Sequence, residues 1–137
     1  MKFNRLGTSD LQVSDVCLGT MTWGIQNTQQ DADEQLAYAL DKGVNFIDTA
    51  EMYPVPPNVD TYGDTERVIG NWLSRNPSKR ADIVLMTKIA GSGLKYIRNA
   101  GPITADAIAN ALTYSLERLN TDYIDVYQLH WPNRVTP

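Results

Sequence analysis

GVNFIDTAEMY, residues 43–53, is the stretch on which the fold turns. Gly43 stops a helix, and Val44 to Asp48 reads as a short strand. Its apolar pair, Phe46-Ile47, ends on a carboxylate, Asp48. Tyr53 follows just before a loop rich in proline. Upstream, residues 31–42 (DADEQLAYALDK) predict a helix. Ala32, Leu36 and Leu40 recur at every fourth position, and Asp31, Asp33 and Glu34 crowd the first turn, where a helix favours negative charge. Downstream, the prolines of YPVPPNVDTYGD exclude regular structure. A second helix is expected from about Asp64 to Arg75, with Ile69, Trp72 and Leu73 on one side and Asn76-Pro77 as its stop.

The same unit then repeats in kind. Ile83 to Met86 is a continuous apolar run, the mark of a strand buried on both faces, and Lys88 closes it. A long loop holds Gly91, Gly93 and Gly101. Thr104 caps a third helix reaching about Leu119, with Ile108, Leu112 and Leu116 on one stripe. Tyr123 to Leu129 predicts a fourth strand, with His130 at its end. At the amino terminus, Phe3–Leu6 and Leu11–Ser14 predict a hairpin around Gly7-Thr8-Ser9-Asp10, and Val16–Leu18 predicts a brief strand stopped by Gly19. The order hairpin, β, α, β, α, β, α, β calls for a parallel sheet with right-handed crossovers. An open doubly wound sheet and part of a (β/α)₈ barrel both fit it.

Composition bounds the function. The 137 residues carry a net charge of −4 and 42% hydrophobic side chains, as expected of one mildly acidic globular domain, residues 1–137. No basic run suggests nucleic acid or an anionic membrane, and no apolar stretch is long enough to span a bilayer. MKFNRLGTSD lacks the apolar centre of a signal peptide. One cysteine, Cys17, excludes an internal disulfide framework, and one histidine makes a zinc site improbable. These features favour the cytoplasm and no metal.

The polar residues fall at successive strand ends: Gly19-Thr20 after the first, Asp48 on the second, Lys88 on the third and His130 on the fourth. In parallel α/β folds the carboxyl ends of strands line the active site. Alternation would put Phe46 and Val44 below Asp48, Met86 and Val84 below Lys88, and Gln128, Val126 and Ile124 below His130. A phenol is a poor acid near neutrality, but an ammonium beside it favours tyrosinate. A carboxylate can hold that lysine, and a histidine can hydrogen-bond to a substrate oxygen. Together they can protonate an oxygen while hydride reaches carbon, which suits carbonyl reduction with a nicotinamide. No G-x-S-x-G elbow competes.

These motifs resemble the aldo-keto reductase superfamily. The matching pieces are LGTMTWG (18–24), GVNFIDTAEMY (43–53), TERVIGNWL (65–73), IVLMTKI (83–89) and SLERLNTDYIDVYQLHWP (115–132). FIDTAEMYPVPP is similar to its Tas-type bacterial branch. The resemblance implies a (β/α)₈ TIM barrel closed below by an amino-terminal hairpin, of which this chain is the N-terminal half. It places the family's tetrad on Asp48, Tyr53, Lys88 and His130. Tyr53 would be the general acid in reduction, Lys88 would lower its pKa, Asp48 would orient Lys88, and His130 would position the carbonyl. Gly19, Thr20 and Met21, with Gln26, would meet the nicotinamide riboside of NADPH (NADP), and Asp48 would touch its ribose. Trp23, Trp131 and the proline loop would wall the pocket of a small-molecule carbonyl substrate.

Each residue also has a plainer reading. Asp48 could form an Asx turn, Tyr53 could be a packing aromatic and Lys88 a solvated strand end. Met21 and Trp23 could be ordinary core, and Cys17 inert core. GSG at 91–93 resembles a phosphate loop but lacks an immediate helix. A barrel needs ~250 residues, so the chain is expected to be a fragment. Its open edges would favour self-association or a complementing C-terminal half. A cofactor-binding regulatory subunit and an inert, self-associating half barrel are the competing functions.

Overall fold

The computed structural model describes residues 1–133. An antiparallel hairpin, β1 (Phe3–Arg5) and β2 (Gln12–Ser14), precedes a four-stranded parallel sheet. The sheet is formed by β3 (Cys17–Gly19), β4 (Phe46–Asp48), β5 (Val84–Ile89) and β6 (Val126–Leu129), in that spatial order. The helices α1 (Gln29–Asp41), α2 (Asp64–Arg75) and α3 (Ala105–Leu119) form the three crossovers, and a six-residue 3₁₀ segment, Pro77–Asp82, leads from α2 into β5. Strand order equal to chain order is that of a winding barrel; a doubly wound sheet would reverse at a switch point.

Register aligns Gly19 with Asp48, Asp48 with Met86, and Met86 with Val126. One face of the sheet is covered. Ile47 and Leu85 pack there with Trp23, Leu36, Ile69, Trp72 and Leu119, all from the crossover side. The other face, bearing Cys17, Phe46, Met86 and Gln128, meets no second layer among the described residues, and these four are half-buried or exposed. This one-sided burial is what an incomplete barrel gives: apolar residues on both faces, with helices on the outer one only.

The helices begin where their caps dictate. α1 starts two residues before Asp31, because Thr28 and Asp31 form a capping box. Thr28 Oγ1 accepts from Asp31 N–H at 3.2 Å, and the Asp31 carboxylate accepts from Thr28 N–H at 2.7 Å. Thr104 caps α3 as expected, accepting from Ala107 N–H at 3.1 Å. β5 runs past Met86 to Ile89, since its pairing with β6 continues to Leu129.

Two expectations require correction. β6 starts at Val126, later than Tyr123. The preceding residues are bound sideways by Arg80, which donates to Tyr123 O at 2.9 Å and to Asp125 Oδ2 at 2.8 Å. Alternation therefore does not reach Ile124, which packs against the helix-side core rather than below His130. Cys17 is not core but an exposed residue of the uncovered face. No helix among the described residues is long and apolar enough to cross a membrane.

Candidate active site

The carboxyl ends of β4, β5 and β6 bring the four candidate catalytic side chains together. Asp48 ends β4, Lys88 is the penultimate residue of β5, and His130 follows β6, its N–H still bonded to Ile89 O at 3.0 Å. Tyr53 stands on the turn beyond β4. That turn is laced to β5 by continued ladder bonds, Thr49 N–H to Met86 O at 2.9 Å and Glu51 N–H to Lys88 O at 3.0 Å. Its far side is held by Gly63 N–H donating to Tyr53 O at 2.8 Å. Gly63 has φ 84°, a left-handed conformation that suits glycine and starts α2 beneath the proline loop.

Lys88 Nζ lies 2.5 Å from Asp48 Oδ1 and donates to Thr49 O at 2.8 Å. It also sits 5.0 Å from the Tyr53 ring centroid. The Tyr53 and His130 rings meet edge to face, 5.5 Å apart and inclined by 82°. Trp131 extends the aromatic group, 5.2 Å from His130. Its Nε1–H donates to Ser92 O at 3.0 Å, and a side chain at Gly91 would overlap its indole. Gly91 is thus a seat for Trp131, with no phosphate role needed.

Electrostatics corrects one expectation. The Tyr53 phenol is pushed up from its ordinary value, first by burial and then by the Asp48 charge. The Lys88 ammonium is already paired with Asp48 and does not reverse this. Tyr53 is therefore held protonated, the form a proton donor requires. His130 is shifted down, by burial first and by the Lys88 charge next, so its imidazole is neutral at neutral pH. Its Nδ1 is buried without a hydrogen-bond partner, as is Asp48 Oδ1, whose ion pair with Lys88 is not a directed hydrogen bond.

The other predicted site residues separate. Gly19 opens onto free space at the end of β3, and Met21 is 50% exposed beside it. Gln26 is exposed on a turn, its N–H bonded to Thr22 O at 3.0 Å. Thr20 is fully buried, and its hydroxyl donates to Asp48 O at 2.8 Å, so its side chain braces β4 instead of meeting a ligand. Trp23 is core and no pocket wall: it is 1% exposed, and its Nε1–H donates to Gln35 at 2.9 Å. Sequence reasoning missed Glu51. It is 4% exposed, lies between Asp48 and Tyr53, and ion-pairs with Arg98. A carboxylate two residues before the tyrosine was the only signal, and nothing in the sequence points to its partner 47 residues away.

Residues 15–137 match the family model described as the aldo/keto reductase family. The chain is 47% identical over 139 residues to Protein tas of Escherichia coli, covering 99% of this chain and 40% of that protein. It is 36% identical over 143 residues to the uncharacterized oxidoreductase YrpG of Bacillus subtilis, covering 100% of this chain and 42% of that one. Among solved structures, it superposes on an aldo-keto reductase of Bacillus halodurans in its holo form. The TM-score is 0.75 at 35% identity, covering 94% of this chain and 40% of the other. The chain thus spans about 40% of the length of these relatives and corresponds to an N-terminal half of the barrel. Sheet order, strand-end chemistry and the match over residues 15–137 converge, and the chain belongs to the aldo/keto reductase family.

Proposed function

We propose that this chain carries the proton-transfer machinery of an NADPH-dependent carbonyl reductase. One observation carries the reading: a protonated phenol, a Lys–Asp ion pair and a neutral imidazole converge at adjoining strand ends. The open end of β3 at Gly19 and the exposed Met21 and Gln26, beside Asp48, suit the nicotinamide riboside. When bound, the reduced nicotinamide supplies the hydride that the carbonyl carbon accepts. Tyr53 gives its proton to the carbonyl oxygen, so an aldehyde or ketone becomes an alcohol. His130 orients that oxygen by a hydrogen bond, which its neutral state permits. Lys88 stabilises the phenolate left behind, and Asp48 keeps the ammonium in place. In alcohol oxidation the same phenolate would act as the base.

The test is NADPH oxidation by 4-nitrobenzaldehyde, measured with this chain completed by the C-terminal portion of the Escherichia coli relative. Tyr53→Phe is expected to lower kcat by ~10²–10⁴-fold while sparing NADPH binding, the usual scale for a lost general acid. Turnover unchanged by that substitution would remove the reading.

A further inference from the structure

The buried carboxylate of Glu51 takes no part in the chemistry above, yet it is the most enclosed ionised group beside it. Its Oε2 accepts from Ala90 N–H at 2.8 Å, two residues beyond Lys88. Its other oxygen is gripped by Arg98, whose second guanidinium nitrogen donates to Ala90 O at 2.6 Å. Glu51 main-chain N–H meanwhile donates to Lys88 O. The turn carrying Tyr53 and the strand carrying Lys88 are therefore fastened by main chain on one side and by a buried ion pair on the other. Arg98 reaches in from a tight turn. It and the next two residues, Asn99 and Ala100, have φ of 47°, 53° and 58°. Three successive non-glycine residues in the left-handed region are strained, and such strain persists only where surrounding contacts over-determine it. The bonds to Glu51 and Ala90 anchor its first residue, Arg98, and Glu51 and Arg98 line a cavity of about 300 Å³ against α3.

We propose that Glu51, clamped by Arg98, is the positioning residue that sets the Tyr53 phenol against Lys88 and His130. It touches no reacting atom and acts through the turn. The inference rests on the reductase reading, since it gives Tyr53 a geometry to keep. Burial makes the device stiff: an unpaired carboxylate at this site would be strongly disfavoured, so Glu51 and Arg98 hold one arrangement together. Misplacement of a reacting group by about 1 Å can cost ~10²-fold in rate.

The first measurement is the pH titration of Tyr53 in the completed barrel, followed by ¹³C-tyrosine NMR with the resonance assigned from Tyr53→Phe and with circular dichroism at each pH to show the fold intact. Asp48, Lys88 and His130 surround this phenol and stay unchanged in every variant tested. Glu51→Ala and Arg98→Met are expected to bring the titration back toward the ordinary value near ~10, with Arg98→Lys intermediate. The second is aldehyde reduction in the completed barrel, with kcat down by about 10²-fold in both variants and KM and NADPH affinity little changed. If Glu51→Ala fails to fold, or Arg98→Met does because it strands the buried Glu51 carboxylate, Arg98→Lys decides the matter, since it keeps a cation opposite Glu51 and removes the second guanidinium bond to Ala90 O. Wild-type titration and wild-type kcat in the Arg98→Met protein, or in Arg98→Lys where Arg98→Met does not fold, would overturn the inference. If Tyr53→Phe halts reduction in that case, the reductase reading survives alone; if it does not, the reductase reading itself has failed.

Discussion

Tyr53 sits where burial and the Asp48 charge act in the same direction, and His130 where burial and the Lys88 charge do. Both groups are thereby held neutral. The consequences for stability have definite signs. Tyr53 and Tyr127 are raised, each chiefly by burial. The folded chain therefore keeps protons that the unfolded chain releases. Stability should hold up to ~10, the ordinary phenol value, and fall as pH rises beyond it. His130 has the opposite arrangement: the unfolded chain takes up its proton first. Stability should fall again as pH drops below 6.5. Thermal melts across the pH range check both limbs. A midpoint flat from neutrality to strong alkali would contradict the burial of these phenols.

At the scale of elements, the contact between α2 and α3 is set by Gly70. A Cβ at that position would overlap the main-chain carbonyl of Arg118, so the helices approach as closely as they do only because no side chain intervenes. Glycine in mid-helix costs about 1 kcal/mol relative to alanine, and the close packing offsets it. Gly70→Ala should gain that propensity yet lose more, for a net loss of about 1–3 kcal/mol as the helices separate. A denaturant midpoint equal to wild type would show that the two helices can part freely. The same interface encloses Glu66, which is fully buried. It accepts from Arg118 Nε at 2.7 Å and from the Thr87 hydroxyl at 2.6 Å, and this ties both helices to the outer face of β5. Arg118 therefore has two functions: its backbone abuts Gly70 and its side chain neutralises Glu66.

For the whole molecule, the uncovered sheet face is the dominant fact. Phe46 and Met86 are half-buried there, while Cys17 and Gln128 are exposed, and β3 and β6 are the sheet's edges among the described residues. Apolar surface and unpaired strand edges of this kind promote association. The 137-residue chain should sediment well above its 15.3 kDa monomer mass, with the association concentration-dependent. A cooperatively melting monomer at all concentrations would mean that the helix-side core suffices alone. The chain spans about 40% of the length of its relatives, and in a closed barrel such edges are paired and such a face lies inside.

The alternation of strands and helices, the helix faces and the strand-end positions of Asp48, Lys88 and His130 were legible in the sequence. Local periodicity and turn residues encode them, and each depends on neighbours within a few positions. The start of α1 was misplaced only because Thr28 and Asp31 cap it reciprocally, a pattern seen once both are recognised as partners. Other features depended on contacts distant in the chain. Trp23 looks like a pocket wall until its indole is found bonded to Gln35 inside the core. Thr20 looks like a cofactor contact until it is found bracing Asp48. The protonation of Tyr53 turned on its burial and its distance from Asp48, and the Glu51–Arg98 clamp joins residues 47 positions apart. The sequence by itself determined the order of elements and which residues form the candidate site. Only the tertiary structure decided which charges meet and how deeply, because Coulomb and desolvation energies depend on spatial separation and burial, not on sequence spacing.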